Sequence, residues 1–94
     1  MGIERNKILV IGRVQGVFFR ASTLKKAKHF AIKGTVRNTS VGDVEIIALG
    51  EQLAMEQFIR WCHKGPLSAK VTAVIVEPLK DAVDYTEFTI LKHY

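Results

Sequence analysis

The chain has 94 residues, 48% hydrophobic and 24% charged, with a formal net charge of +5; this is enough for one domain with a small core and excludes a disordered or fibrous protein. The lone cysteine, Cys62, excludes an internal disulfide and fits a reducing compartment, so a cytoplasmic protein is expected. No apolar run approaches the ~20 residues that cross a bilayer, and Met1 to Lys7 is polar, so neither a membrane span nor a secretory leader is expected.

Lys7 to Gly12 contains Ile8, Leu9, Val10 and Ile11, a run too short for a helix and rich in β-branched residues, which predicts a buried first strand. The loop Gly12-Arg13-Val14-Gln15-Gly16-Val17-Phe18-Phe19-Arg20 follows. Ala21 to Ile32 then places Leu24, Ala27, Phe30 and Ala31 at helical spacing with lysines opposite. Gly34 is the expected stop signal, and Lys33 to Asn38 a second strand. Thr39 to Asp43 is a turn, and Val44 to Leu49 a third strand completing a hairpin. A second helix is expected from about Glu51 to His63, with Leu53, Ala54, Phe58, Trp61 and Cys62 on its apolar face, ended by Lys64-Gly65-Pro66. Val71 to Val76 is a fourth strand closed by Pro78, and Thr86 to Leu91 a short final strand. The order β-α-β-β-α-β predicts an α+β, ferredoxin-like sandwich over residues 1–94, an antiparallel sheet with two helices on one face. That fold hosts many activities, so function must come from the residues.

The charge is unevenly placed. Up to Asn38 the chain carries Arg5, Lys7, Arg13, Arg20, Lys25, Lys26, Lys28, Lys33 and Arg37 against Glu4 alone. This favours an anionic partner, either a phosphorylated small molecule or a nucleic acid. Lys25, Lys26 and Lys28 are expected only to solvate a helix face. The loop at Gly12 to Arg20 is the better anion site. A glycine-bearing turn between strand and helix gathers backbone N–H groups at a helix start, and Arg20 adds a planar fork of donors matched to phosphate oxygens.

These residues resemble the acylphosphatase family. Gly12 to Arg20 is similar to the family signature G-x-V-Q-G-V-x-F-R at every fixed position. Gly34-Thr35-Val36-Arg37-Asn38 resembles its G-x-V-x-N motif, and Gly42, Val44 and Glu45 its G-x-V-E. Gly65-Pro66 with Ala69 and Val71 is similar to G-P-x-x-A-x-V, and Phe88-Thr89-Ile90 to F-x-I. The resemblance covers nearly the whole chain. Departures are Thr35, where an aromatic is usual, Val41-Gly42, where Asp-Gly is usual, Phe18, where a small residue is common, and the tail Leu91 to Tyr94, which differs from the usual short ending.

The resemblance implies metal-free hydrolysis of acyl phosphates to a carboxylate and inorganic phosphate, by a monomer that uses no cofactor. It assigns phosphate binding to Arg20 and positioning of the attacking water to Asn38. Gln15, Gly16, Val17, Phe18 and Phe19 belong to the loop whose N–H groups cradle the phosphate. The chemistry is consistent: a carboxylate leaves without help from an acid, and phosphoryl transfer needs chiefly positioning and charge stabilisation. Phe18 and Phe19 could stack on a substrate, with core packing favoured for Phe19.

Other candidates are weaker. Cys62 and His63 are adjacent and point about 100° apart on a helix, so Cys62 is expected in the core. His29, His63 and His93 are scattered, and Glu45, Glu51 and Glu56 are expected as solvated charges. An RNA-recognition motif shares the element order, but the first and third strands lack its aromatics, so nucleic-acid binding is not expected. An acylphosphatase-like regulatory domain is a further alternative, since such domains also occur in a hydrogenase maturation factor; Asn38 beside Arg20 favours the free-standing enzyme.

Overall fold

The computed structural model describes residues 2–80 and 84–92; His93 lies outside them. The described residues form β1 (Ile3–Arg13), α1 (Phe19–His29), β2 (Lys33–Asn38), β3 (Val44–Glu51), α2 (Gln52–Lys64), β4 (Lys70–Pro78) and β5 (Phe88–Ile90). The strands make one sheet in the order β4-β1-β3-β2-β5. β1 runs antiparallel to β3 and β4, and β2 antiparallel to β3. β5 departs from the expected all-antiparallel pattern. It pairs parallel with β2, Gly34 opposite Phe88 and Val36 opposite Ile90, and makes the sheet mixed at one edge. The chain leaves β4 at the opposite edge, so it has to cross the sheet before β5 begins.

α1 covers β2 and β5, α2 covers β4, β1 and β3, and the two helices touch. Strand alternation dictates what they cover. Ile8 and Val10 face the helices from β1, and Ile46 and Val44 stand opposite them on β3. These side chains and Val36 join Ala27 of α1 and Met55, Phe58 and Cys62 of α2 in one buried cluster. Residues out of phase point to the open face, where Glu45 accepts from Arg37 Nε at 2.8 Å and pairs with Lys7 Nζ at 3.7 Å. Glu45 is therefore not the solvated charge expected, since its side chain is only 16% exposed.

Element boundaries moved where long-range contacts override local pattern. β1 begins at Ile3 rather than Lys7, because Ile3 to Asn6 pair with Glu51 to Ala48 of β3. α1 starts at Phe19, earlier than expected, and ends at His29. Its stop is not Gly34 but Ala31, which adopts a left-handed φ of 57°. The Ala31 N–H donates to the Lys28 carbonyl at 3.3 Å, and Ile32 N–H to that of Ala27 at 2.8 Å, closing the last turn. Gly34 serves another end. It lies within β2 at φ 140°, where a Cβ would collide with the Ile47 carbonyl oxygen.

The buried stripe of α2 is Met55, Phe58 and Cys62. Leu53, expected on that face, is 67% exposed. Trp61 is half-buried, and its ring lies 5.5 Å from that of Phe19. Cys62 is in the core as expected, and burial pushes its thiol up to about 12. A thiol held neutral in this way is no nucleophile.

Candidate active site

The loop between β1 and α1 is pinned from beneath. Val14 and Phe19 are buried, Val17 packs against the core, and the Val17 carbonyl accepts from Ser68 Oγ at 3.3 Å. Between these anchors the backbone turns through two left-handed residues, Gly16 at φ 73° and Phe18 at φ 62°. Gly16 meets nothing where a Cβ would stand, so its glycine answers to the dihedral angle and not to crowding. Left-handed residues at alternate positions turn successive N–H groups toward one side, as in backbone nests that bind anions.

The donors of this loop are unspent. Among the described residues, the N–H groups of Gln15 to Arg20 donate to no group of the protein, and the first helical bond here runs from Ser22 N–H to the Phe18 carbonyl at 3.0 Å. Phe18 occupies the cap position and supplies no capping side chain. The N-terminal N–H groups of α1 therefore stay available, with the positive end of the helix behind them.

Arg20 rises from the first turn of α1. Among the described residues it makes no ion pair, and its one hydrogen bond is a long one, Nη1 to the Leu91 carbonyl at 3.5 Å. Arg5, Lys7 and Arg37, by contrast, all have acidic partners. Asn38 closes β2, and its Oδ1 is buried with no hydrogen-bond partner among the described residues. An acceptor in that state costs about 1–3 kcal/mol unless a ligand or water answers it. Arg20 and Asn38 line one cleft of about 340 Å³ together with Gly16, Phe18 and Phe19, floored by Val14 and Ile90. Among the described residues no carboxylate lines it, so an incoming dianion meets Arg20, unpaired N–H dipoles and one amide.

Two of the expected loop residues, Gln15 and Val17, flank the cleft rather than line it. The Gln15 side chain works elsewhere. Its Nε2 donates to the Thr39 carbonyl at 3.0 Å and to the Asp43 carbonyl at 2.8 Å. It thereby ties the phosphate-loop candidate to the turn that follows Asn38. That turn is closed on itself: Thr39 N–H donates to the Asp43 carbonyl at 2.9 Å, and Asp43 N–H to Thr39 Oγ1 at 3.1 Å. Sequence reasoning missed Thr39, Ser68, Ile90 and the Leu91 carbonyl at the site. Only Thr39 carried a local signal, as a hydroxyl opening a turn.

Among the described residues no group of three His, Cys, Asp or Glu side chains is placed to hold a metal. A second cleft, of about 570 Å³, opens at the other end of the strands between Ile3, Arg5, Lys33 and Glu51, and holds none of the residues expected to bind phosphate or position water.

Comparison with known proteins gives a consistent answer. A family model described as Acylphosphatase matches residues 6–90. The chain is 44% identical over 88 residues to an acylphosphatase of Marinobacter nauticus, covering 94% of this chain and 96% of that protein. It is 39% identical over 90 residues to an acylphosphatase of Methylococcus capsulatus, covering 96% and 98%. The structure of an acylphosphatase from Coxiella burnetii superposes with a TM-score of 0.90 at 38% identity, over 95% of this chain and 93% of that one.

Proposed function

The chain belongs to the acylphosphatase family, and from that premise we propose that the Gln15–Arg20 loop binds the phosphoryl group of an acyl phosphate while Asn38 positions the water that attacks it. The activity is acylphosphatase activity: the carboxyl–phosphate bond is hydrolysed to a carboxylate and inorganic phosphate. The single observation that supports the residue assignment is the juxtaposition in one cleft of an arginine and a buried amide oxygen that, among the described residues, lack an acidic partner and a donor respectively.

In this reading the phosphoryl oxygens take hydrogen bonds from the loop N–H groups and from the Arg20 fork. These donors are fixed before the substrate arrives, so they stabilise the charge of the transition state without reorganising. Asn38 Oδ1 accepts from a water and holds it in line with the breaking P–O bond. The water oxygen bonds to phosphorus as the carboxylate departs with its electron pair. Among the described residues the cleft lining includes no titratable base, so the water's proton passes to the phosphate product.

The same proposal extends to a single-domain, cytoplasmic monomer that works without metal or cofactor. It is supported by a core closed within one chain and by a buried, unpaired Cys62. Nucleic acid is not an expected partner. The sheet's open face presents the Arg37–Glu45–Lys7 cluster, and β1 and β3 carry no aromatic residue.

The test is steady-state hydrolysis of benzoyl phosphate in chelator, with phosphate as inhibitor. Arg20→Gln should cut kcat/KM by at least about a hundredfold and weaken phosphate inhibition, as expected for loss of a bidentate charged contact. Near-normal turnover in that variant, or loss of wild-type activity in chelator, would overturn the assignment.

A further inference from the structure

Phe18 is unusual on three counts. Its backbone is left-handed, at φ 62° and ψ 24°, a conformation sterically disfavoured for a residue bearing a Cβ. Its side chain is 80% exposed, whereas the adjacent Phe19 is 2% exposed and packed against Trp61. It also stands on the lining of the cleft that holds Arg20 and Asn38. The backbone conformation is accounted for by the phosphate loop. The aromatic ring is not, because it caps nothing and joins no aromatic pair among the described residues.

We propose that the Phe18 ring is a specificity-determining contact that receives the acyl group and favours acyl phosphates with planar, apolar acyl groups over small ones. The proposal rests on the reading of the loop and Arg20 as the phosphate site. With the phosphoryl group held at the loop, the acyl substituent must leave the cleft past its mouth. Phe18 reaches it, lining the cleft yet 80% exposed, and Leu91, next in sequence to the floor residue Ile90, is 40% exposed. A flat acyl group can lie against the exposed ring and shed water from both surfaces. An acetyl group is too short to cover it. The ring adds nothing to the charge development at phosphorus, so its contribution falls on binding, which KM reports.

The experiment is the ratio of kcat/KM for benzoyl phosphate to that for acetyl phosphate, in the wild type and in Phe18→Ala, Phe18→Leu and Phe18→Tyr. Alanine keeps a Cβ, so the left-handed backbone carries a similar cost and only the ring is lost. Phe18→Ala should lower the ratio about tenfold, through a higher KM for benzoyl phosphate. Phe18→Leu should fall between, and Phe18→Tyr should restore the wild-type ratio. An unchanged ratio, or an equal loss on both substrates, overturns the proposal. Failure of the phosphate-site reading has a different mark: turnover of both substrates would then survive Arg20→Gln.

Discussion

Asn38→Ala separates function from stability in a way the structure specifies. The side chain closes β2 with Oδ1 buried and without a partner among the described residues. An unanswered buried acceptor costs about 1–3 kcal/mol. Truncation removes that cost and forfeits the packing of three heavy atoms, about 1 kcal/mol at a half-buried position. Water in the cleft returns part of the first cost, so the net expectation runs from a loss of about 1 kcal/mol to a gain of about 1–2 kcal/mol. Most substitutions destabilise by about 1 kcal/mol, so a gain would be diagnostic. Turnover should fall at least about a hundredfold, in keeping with the loss of one preorganised polar group at a reacting centre. The assay is urea unfolding at matched m-value beside hydrolysis of benzoyl phosphate. A gain of 1 kcal/mol would raise Tm by about 4–8 °C in a chain of this size. Destabilisation by more than about 1 kcal/mol would show that the carboxamide is bonded within the fold. Turnover within tenfold of wild type would show that something else holds the water. Either outcome refutes the reasoning.

Two further outcomes are expected. Gln15→Ala removes both bonds from Nε2 to the Thr39 and Asp43 carbonyls, but each carbonyl keeps a backbone donor, Gly42 N–H and Thr39 N–H respectively. The stability loss should therefore be only about 1–2 kcal/mol, while kcat falls more than tenfold because the turn after Asn38 is released; Gln15→Glu, which sets a carboxylate against two carbonyls, should be worse on both measures, and a Gln15→Ala enzyme with normal kcat would deny the clamp any part in positioning Asn38. Cys62 gives a pH dependence. Burial holds its thiol at about 12 in the folded state against an ordinary 9.0, so the folded state favours the protonated form and stability declines as the unfolded thiol ionises. Between pH 9 and 10 the wild type should lose about 1 kcal/mol more than Cys62→Ala, measured by denaturant unfolding across that range, and parallel profiles would contradict the burial argument.

How much of this was legible in the sequence depends on how far apart the interacting residues lie. β2 was readable at both ends, because Lys33 to Asn38 lies between the last apolar position of a helical pattern, Ile32, and the Thr39 to Asp43 turn. α1 was misplaced because its start has no capping side chain, only Phe18 in a left-handed turn, and its stop falls on an alanine where glycine is the usual signal. Leu53 was misassigned because helical spacing alone does not say which of two neighbouring stripes meets the sheet; Met55, Phe58 and Cys62 do. The parallel edge strand β5 depends on a crossing of the whole sheet, which no local pattern records.

The site divides along the same line. Arg20, Gly16 and the loop donors were legible because anion binding at a strand–helix turn is a local arrangement of a few consecutive residues. Asn38 was named from its motif, but what makes it chemically distinctive, a buried oxygen left unanswered by the fold, is a tertiary property. The Gln15 clamp joins residues 24 and 28 positions apart, so its side chain could not be told from its backbone role in advance. These features share a physical logic. A fold that satisfied every polar group internally would give the Gln15–Arg20 N–H groups carbonyl partners, pair Arg20 with a carboxylate and give Asn38 Oδ1 a donor. This one bonds Arg5, Lys7 and Arg37 to acids and leaves the cleft's donors and acceptor open. The stability forgone there is the quantity that substrate and water restore on binding, which is why Asn38→Ala should lose turnover at little or no cost in stability, whereas Gln15→Ala should lose both.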